Sequence, residues 1–278
     1  MTTVDFAAQT RPTIPGQLEA ALKLRSTGRL AEALDVLTNP GEYDACLCTV
    51  RAEIEYALGR FQDAALSYFS VTISDPDNSD AHYNLALCLK HCGRWDVASE
   101  AFERVLRLDA ERAEARLGLG ACLLHLDRAE EALVNFNQCR LGLERGPALL
   151  GKAVALQLLH RFEEAGRAYE ALLTSDPNSE EVLSNLIAMS IETDDLEQVW
   201  DHSLRLLKIC PHSTAALQGL ATVALDSRDH QAAVSYCDRI LELAPDCLEA
   251  WHNFRIAMDR SSFSSSEPVR AMHIGGIQ

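Results

Sequence analysis

Residues 79–112 read SDAHYNLALCLKHCGRWDVASEAFERVLRLDAER. Apolar positions recur there at helical spacing in two runs, Ala81 to Lys90 and Trp95 to Leu108, separated by His91-Cys92-Gly93-Arg94. Glycine just past a helix end is the usual left-handed stop, so the stretch predicts an antiparallel helical hairpin that turns at Gly93. Variants of its second half return along the chain as LGRFQDAALSYF, LDRAEEALVNF, LHRFEEAGRAY and DDLEQVWDHSL. The central small residues are Ala33, Ala64, Ala98, Ala132, Ala165, Val199 and Ala233, at spacings of 31, 34, 34, 33, 34 and 34. A fixed period of this kind marks stacked supersecondary units. Pro76, Pro177, Pro211 and Pro245 supply a second phase marker, the last three again 34 apart. Proline lacks the N–H of a continuing helix and disfavours helix in the residue before it, so each closes a unit.

Composition agrees with an all-α fold. The chain has 278 residues, 47% of them apolar, 24% charged and only 6% aromatic. Strands are enriched in aromatic and β-branched residues, and this chain favours Ala and Leu instead. The net charge is −16, and the stretches 1–13 and 261–278 are each neutral, so the excess lies between Ile14 and Arg260. A body this acidic repels phosphate backbones and anionic headgroups, which argues against nucleic-acid binding and membrane association. No run approaches a membrane span, and MTTVDFAAQTRPTIPG lacks the basic and apolar regions of a secretory leader. Nine cysteines without framework spacing fit a reducing compartment, and the expected location is the cytoplasm.

The period, the hairpin grammar and the residue choices resemble the tetratricopeptide repeat (TPR) family. The likeness is carried by small residues on the first helices (Ala21, Ala52, Ala86, Gly120, Ala153, Ala221), by the second-helix alanines, and by an aromatic four residues after them (Tyr68, Phe102, Phe136, Tyr169). It covers about Ile14 to Arg260 and implies a right-handed superhelical solenoid of about seven antiparallel hairpins plus a C-terminal capping helix. That cap is expected at Leu248–Asp259, with Trp251 and Phe254 turned toward the preceding unit. No hairpin buries its face alone, so stability is a sum of units and neighbouring interfaces.

Departures mark expected weak points. Asn39-Pro40-Gly41 predicts an early stop and a looser first hairpin, and LGLERGPA predicts a seam near 141–147. The arm 1–13 and the tail 261–278, which has no helical period, are expected to be disordered.

No catalytic motif is present: the chain lacks GxSxG, GxxxxGK and HExxH, and LGLG at 117–120 falls mid-helix in repeat phase, as packing. Cys88, His91 and Cys92 share one helix end, but a structural zinc needs four ligands in a closed set, and none assembles. The expectation is therefore no enzyme activity, no cofactor and no metal. His91 and His125 occupy equivalent points of neighbouring first helices and are expected to stack on the inner face, as solvated bystanders.

In the family the inner face is lined by first helices. The corresponding places here hold Tyr56, Tyr83, Asn84, Leu87, Lys90, Leu117, Leu124, Leu150, Val154, Gln157, Asn185, Ile191 and Gln218, an apolar strip with amides and few charges. Exposed apolar strips mark binding sites, although leucines of this set can also pack between hairpins. Asn84, Asn185 and Asn253 resemble the asparagine ladder by which relatives such as the repeat domain of O-linked N-acetylglucosamine transferase hold a peptide backbone. Val50, Gly118, Gly151 and Gly219 interrupt it. The carboxylate clamp of the chaperone adaptors is disfavoured, because the chain has only four lysines and the groove offers Lys90 and Arg25 as cations. The expected function is a scaffold or adaptor that holds a partner's peptide or helix in its concave groove, an amphipathic helix with basic flanks suiting the acidic body best. The alternatives are a recruiting subunit of a glycosyltransferase or of a secretion or pilus assembly, and a self-assembling homo-oligomer.

Overall fold

The computed structural model describes residues 14–37, 44–139 and 145–261. All regular structure among them is helical. The helices are α1 (Ile14–Ser26), α2 (Leu30–Val36), α3 (Ala45–Ala57), α4 (Phe61–Ser74), α5 (Ser79–His91), α6 (Trp95–Leu108), α7 (Ala113–His125), α8 (Ala129–Gln138), α9 (Arg145–Leu158), α10 (Phe162–Ser175), α11 (Glu180–Glu192), α12 (Leu196–Ile209), α13 (Thr214–Asp226), α14 (His230–Leu243) and α15 (Leu248–Ser261). Each odd-numbered helix before α15 opens a repeat unit and the even-numbered helix after it closes the unit. The expected early stop appears as an α2 of 7 residues, where α4, α6, α10, α12 and α14 have 14.

The chain divides into two compact units, Met1–Ala155 and Leu156–Gln278. The division falls within α9; most of the seam expected at 141–147, like the arm 1–13 and all but the first residue of the tail 261–278, lies outside the described residues. In the first unit α1 meets α3 and α5 meets α7, and in the second α11 meets α13 and α13 meets α15, whereas no two second helices meet comparably. Within each unit the first helices are therefore the closely spaced, inner layer.

The repeat alanines explain that spacing. Ala33, Ala64, Ala98, Ala132, Ala165 and Ala233 on the second helices are fully buried, as are Ala21, Ala52, Ala86, Ala153 and Ala221 on the first. Without bulk at these points the two helices of a hairpin approach closely, and Tyr68, Phe102, Phe136 and Tyr169, all nearly or fully buried, fill the space toward the next hairpin. Local chemistry sets the boundaries. Asp44, Asn78, Ser179 and Ser213 cap first helices with side-chain acceptors, answering N–H groups that the helix leaves open. Gly28, Gly59 and Gly93 turn three hairpins with φ of +76°, +74° and +70°; Asp127, His160, Asp194 and Arg228 hold the same left-handed backbone in the others.

The junction carbonyls are also answered in a repeating way. Arg104 and Arg239 each donate at 3.1 Å to the carbonyl of the closing proline 28 residues earlier, Pro76 and Pro211, and Arg205 does the same to Pro177. Where the unit closes on Pro245, the Trp251 indole N–H donates to its carbonyl at 2.8 Å.

That bond accompanies a correction at the cap. α15 docks through Ala250 and Ala257, which are buried with Leu217, Ile240, Ala224 and Ala233, and Trp251 is 51% exposed rather than turned inward. The approach is close, so small residues take the contact and the large ring is displaced to the rim.

Candidate functional site

The side chains expected to line the groove lie on the inner layer, and none is fully buried. In the first unit Tyr56, Tyr83, Asn84, Leu87, Lys90, Leu117, Leu124, Leu150 and Val154 are half-buried. In the second, Gln157, Asn185 and Gln218 are half-buried and Ile191 is exposed. Burying half of each leucine against its neighbours fixes its rotamer and leaves the remainder as an apolar surface.

Several of the polar members are bonded to neighbouring side chains. The Tyr56 hydroxyl lies 3.0 Å from His91 Nε2 on the following first helix, and its ring meets Phe61 edge-on. Gln157 accepts from the Tyr169 hydroxyl at 3.1 Å and donates to Glu192 at 3.4 Å, and Gln218 donates to Glu249 at 3.2 Å. Arg25, one of the two expected groove cations, is paired with Glu53. Tyr83 is covered: the Arg112 guanidinium lies 4.2 Å above its ring, held there by Asp80 at 2.7 Å. Tyr56–His91, Gln157–Glu192, Gln218–Glu249 and Arg25–Glu53 run from one first helix to the next. The surface left open is chiefly the leucine and valine strip.

The interruptions of the asparagine ladder have a packing cause. A methyl group at Gly118 would overlap the Phe102 ring, one at Gly151 would overlap Phe136, and one at Gly219 would overlap Ser203 Oγ. The sixth place of the unit thus faces the preceding second helix as much as the groove. It must be glycine wherever that helix fills the space. Phe136 also rests 2.6 Å from where a Gly120 side chain would begin, which accounts for both glycines of the LGLG string as ring seats.

His91 and His125 do not stack on each other. His91 lies parallel to Phe61 at 4.4 Å and His125 parallel to Trp95 at 3.8 Å, because each first helix ends beside the start of the preceding second helix. Cys88, Cys122 and Cys237 are fully buried, and burial pushes their thiols up to about 12, 11 and 11, away from the reactive thiolate. Lys90 pulls Cys122 partly back. Among the described residues no three His, Cys, Asp or Glu side chains are placed to hold a metal ion, and no helix is long and apolar enough to cross a membrane.

The most exposed apolar side chains fall outside the expected strip. Leu66, Phe69 and Ile73 stand open on α4, and Leu248 and Trp251 on α15. A sequence signal for the first three exists: one period later their places hold Glu100, Glu103 and Arg107, residue types of a solvated face.

Comparison with known proteins places this architecture. The tetratricopeptide repeat model matches residues 49–91 and 93–138, and the coatomer epsilon subunit model matches 143–219. No curated protein sequence matches the chain. Among solved structures, the type IV pilus biogenesis factor PilW is similar at 19% identity with a TM-score of 0.67, over 75% of this chain and 97% of its own. A tetratricopeptide repeat protein from Parabacteroides merdae is similar at 16% identity and a TM-score of 0.66, over 87% and 97%. PilF of Pseudomonas aeruginosa follows at 18% identity and 0.61, over 75% and 95%. At these identities the likeness is one of fold. The tetratricopeptide repeat model thus accounts for residues 49–91 and 93–138, the period of about 34 residues continues on both sides of them, and the all-α fold is similar to that of solved tetratricopeptide repeat proteins.

Proposed function

We propose that this chain is a non-catalytic scaffold that holds a segment of another protein along its inner, first-helix face. One observation carries the reading: Leu87, Leu117, Leu124 and Leu150 form a half-exposed apolar strip on a layer where Tyr56 and Gln157 are already bonded to neighbouring side chains. Affinity then comes from apolar anchoring, while the charge of −16 selects a partner helix with basic flanks. The thiols, four of them buried, suit a reducing compartment such as the cytoplasm.

The test is an affinity capture from the source lysate with the wild-type chain and with Tyr83→Ala/Leu117→Ala, followed by mass spectrometry. The expected result is a defined partner that the double variant loses by about tenfold or more while keeping its helix content. Undiminished capture by the double variant overturns the inner-face reading.

A second reading, a subunit that recruits components of a pilus-type assembly, is favoured by the likeness to PilW and PilF. It keeps the same surface and differs in who is captured. Self-assembly through the groove is the third reading, and it expects a concentration-dependent oligomer in place of a partner.

A further inference from the structure

The outer, second-helix face of the first unit carries an apolar cleft that the inner-face reading does not use. Leu66, Phe69 and Ile73 lie at i, i+3 and i+7 on α4 and are 68%, 53% and 64% exposed. Val97 and Ala101 of α6 form the facing wall, closing a cleft of about 390 Å³ above α5. Monomeric proteins rarely leave a contiguous patch of this kind bare.

Charge is distributed along the cleft. Glu100 lines it one period beyond Leu66, and Arg107 lines it one period beyond Ile73. One end is acidic and the other basic, seven residues of helix and about 10 Å apart. Arg104 is committed, donating to Asp77 at 3.0 Å and to the Pro76 carbonyl at 3.1 Å. Arg107 is not held in this way: its contact with Glu103 is 3.7 Å between two exposed side chains, a pair that solvent and a partner readily displace.

We propose that this cleft docks an amphipathic helix of a partner protein. Its apolar stripe is bracketed on one face, seven positions apart, by a basic residue that meets Glu100 and an acidic residue that meets Arg107. A helix is the fitting occupant because two helices packed on a third leave a groove that takes the side-chain ridge of a further helix. The site is separate from the inner face and survives if that reading fails.

The experiment uses the full chain and a fluorescein-labelled synthetic helix whose leucines lie between a lysine and a glutamate seven positions apart, read by anisotropy. Phe69→Glu is expected to weaken binding about tenfold or more. Arg107→Glu is expected to weaken it severalfold, with recovery when the peptide glutamate is changed to lysine. Tyr83→Ala/Leu117→Ala is expected to leave it unchanged. Helix content by circular dichroism accompanies each variant, and Leu66→Glu replaces Phe69→Glu if the latter loses it. Equal binding by wild type and Phe69→Glu, or no charge-swap recovery, overturns the proposal. Phe69-dependent self-association on sedimentation assigns the cleft to a second copy, and tighter probe binding after deletion of 262–278 assigns it to the chain's own tail; either result overturns it too.

Discussion

The joint between α6 and α7 and the joint between α12 and α13 occupy the same place in the repeat and are filled in opposite ways. At the first, Phe102 is fully buried and its ring rests over Gly118. At the second, Ser203 stands where the ring would be, and Gly219 again lies opposite, too close for a side chain. The first unit, among its described residues, leaves no buried side-chain polar atom without a hydrogen bond, while the second leaves Ser190 Oγ, His202 Nδ1, Ser203 Oγ and His230 Nδ1 unanswered within the protein. The same period can therefore be held by a ring in a notch or by two small residues in direct approach. The second solution leaves a buried hydroxyl at the joint, which the first does not.

The largest effect should come from emptying the notch. Phe102→Ala is expected to cost about 3–5 kcal/mol in chemical denaturation, as the site has few ways to collapse around the missing ring. Gly118→Ala attacks the same joint from the other side and should cost about 1–3 kcal/mol, since the new methyl must push the ring away. Combining Gly118→Ala with Phe102→Leu should recover part of both losses, because contacting sites are not additive. Additive losses would break the picture of one shared space.

Ser203→Ala sharpens the other half of the comparison. Removing a buried hydroxyl with no partner should leave stability unchanged or raise it by up to about 1 kcal/mol. A loss larger than that would mean that an ordered water bonds the hydroxyl, and the joint would then be wet rather than merely polar.

The smallest effect is expected from His202. Burial is the main cause of its lowered value, with Arg205 adding to it and Asp201, Asp195 and Glu170 opposing. The folded state thus prefers the neutral ring, whereas the unfolded chain takes up a proton as pH falls through its ordinary value of about 6.5. Stability should be level above that pH and decline below it until the folded-state value is also passed. His202→Gln should flatten the decline in pH-dependent denaturation. An unchanged slope would locate the acid sensitivity elsewhere.

The seven small residues in register, the closing prolines and the Gly93 turn made the helical hairpins legible before any coordinates, because each acts through the local backbone. The candidate site was legible only as a set of positions. Leu117 and Leu124 could be assigned to the first-helix face by phase, but the bonds that tie Tyr56 to His91 and Gln218 to Glu249 join residues more than thirty apart and leave no trace in periodicity. The cap misled for a related reason: Trp251 has the bulk of a core residue, yet the close approach of α15 selected Ala250 and Ala257 for burial.

By itself the sequence determined the hairpin, its repetition and the layer on which each face lies, since these follow from helix period and the steric rules of proline, glycine and alanine. Tertiary structure alone decided which side chains remain available. Whether Gly118 is a gap in a ladder or the seat of a ring, and whether Phe69 is core or open surface, depends on the distance between neighbouring hairpins. That distance is set by packing across the joint, a property of two units together that neither contains alone.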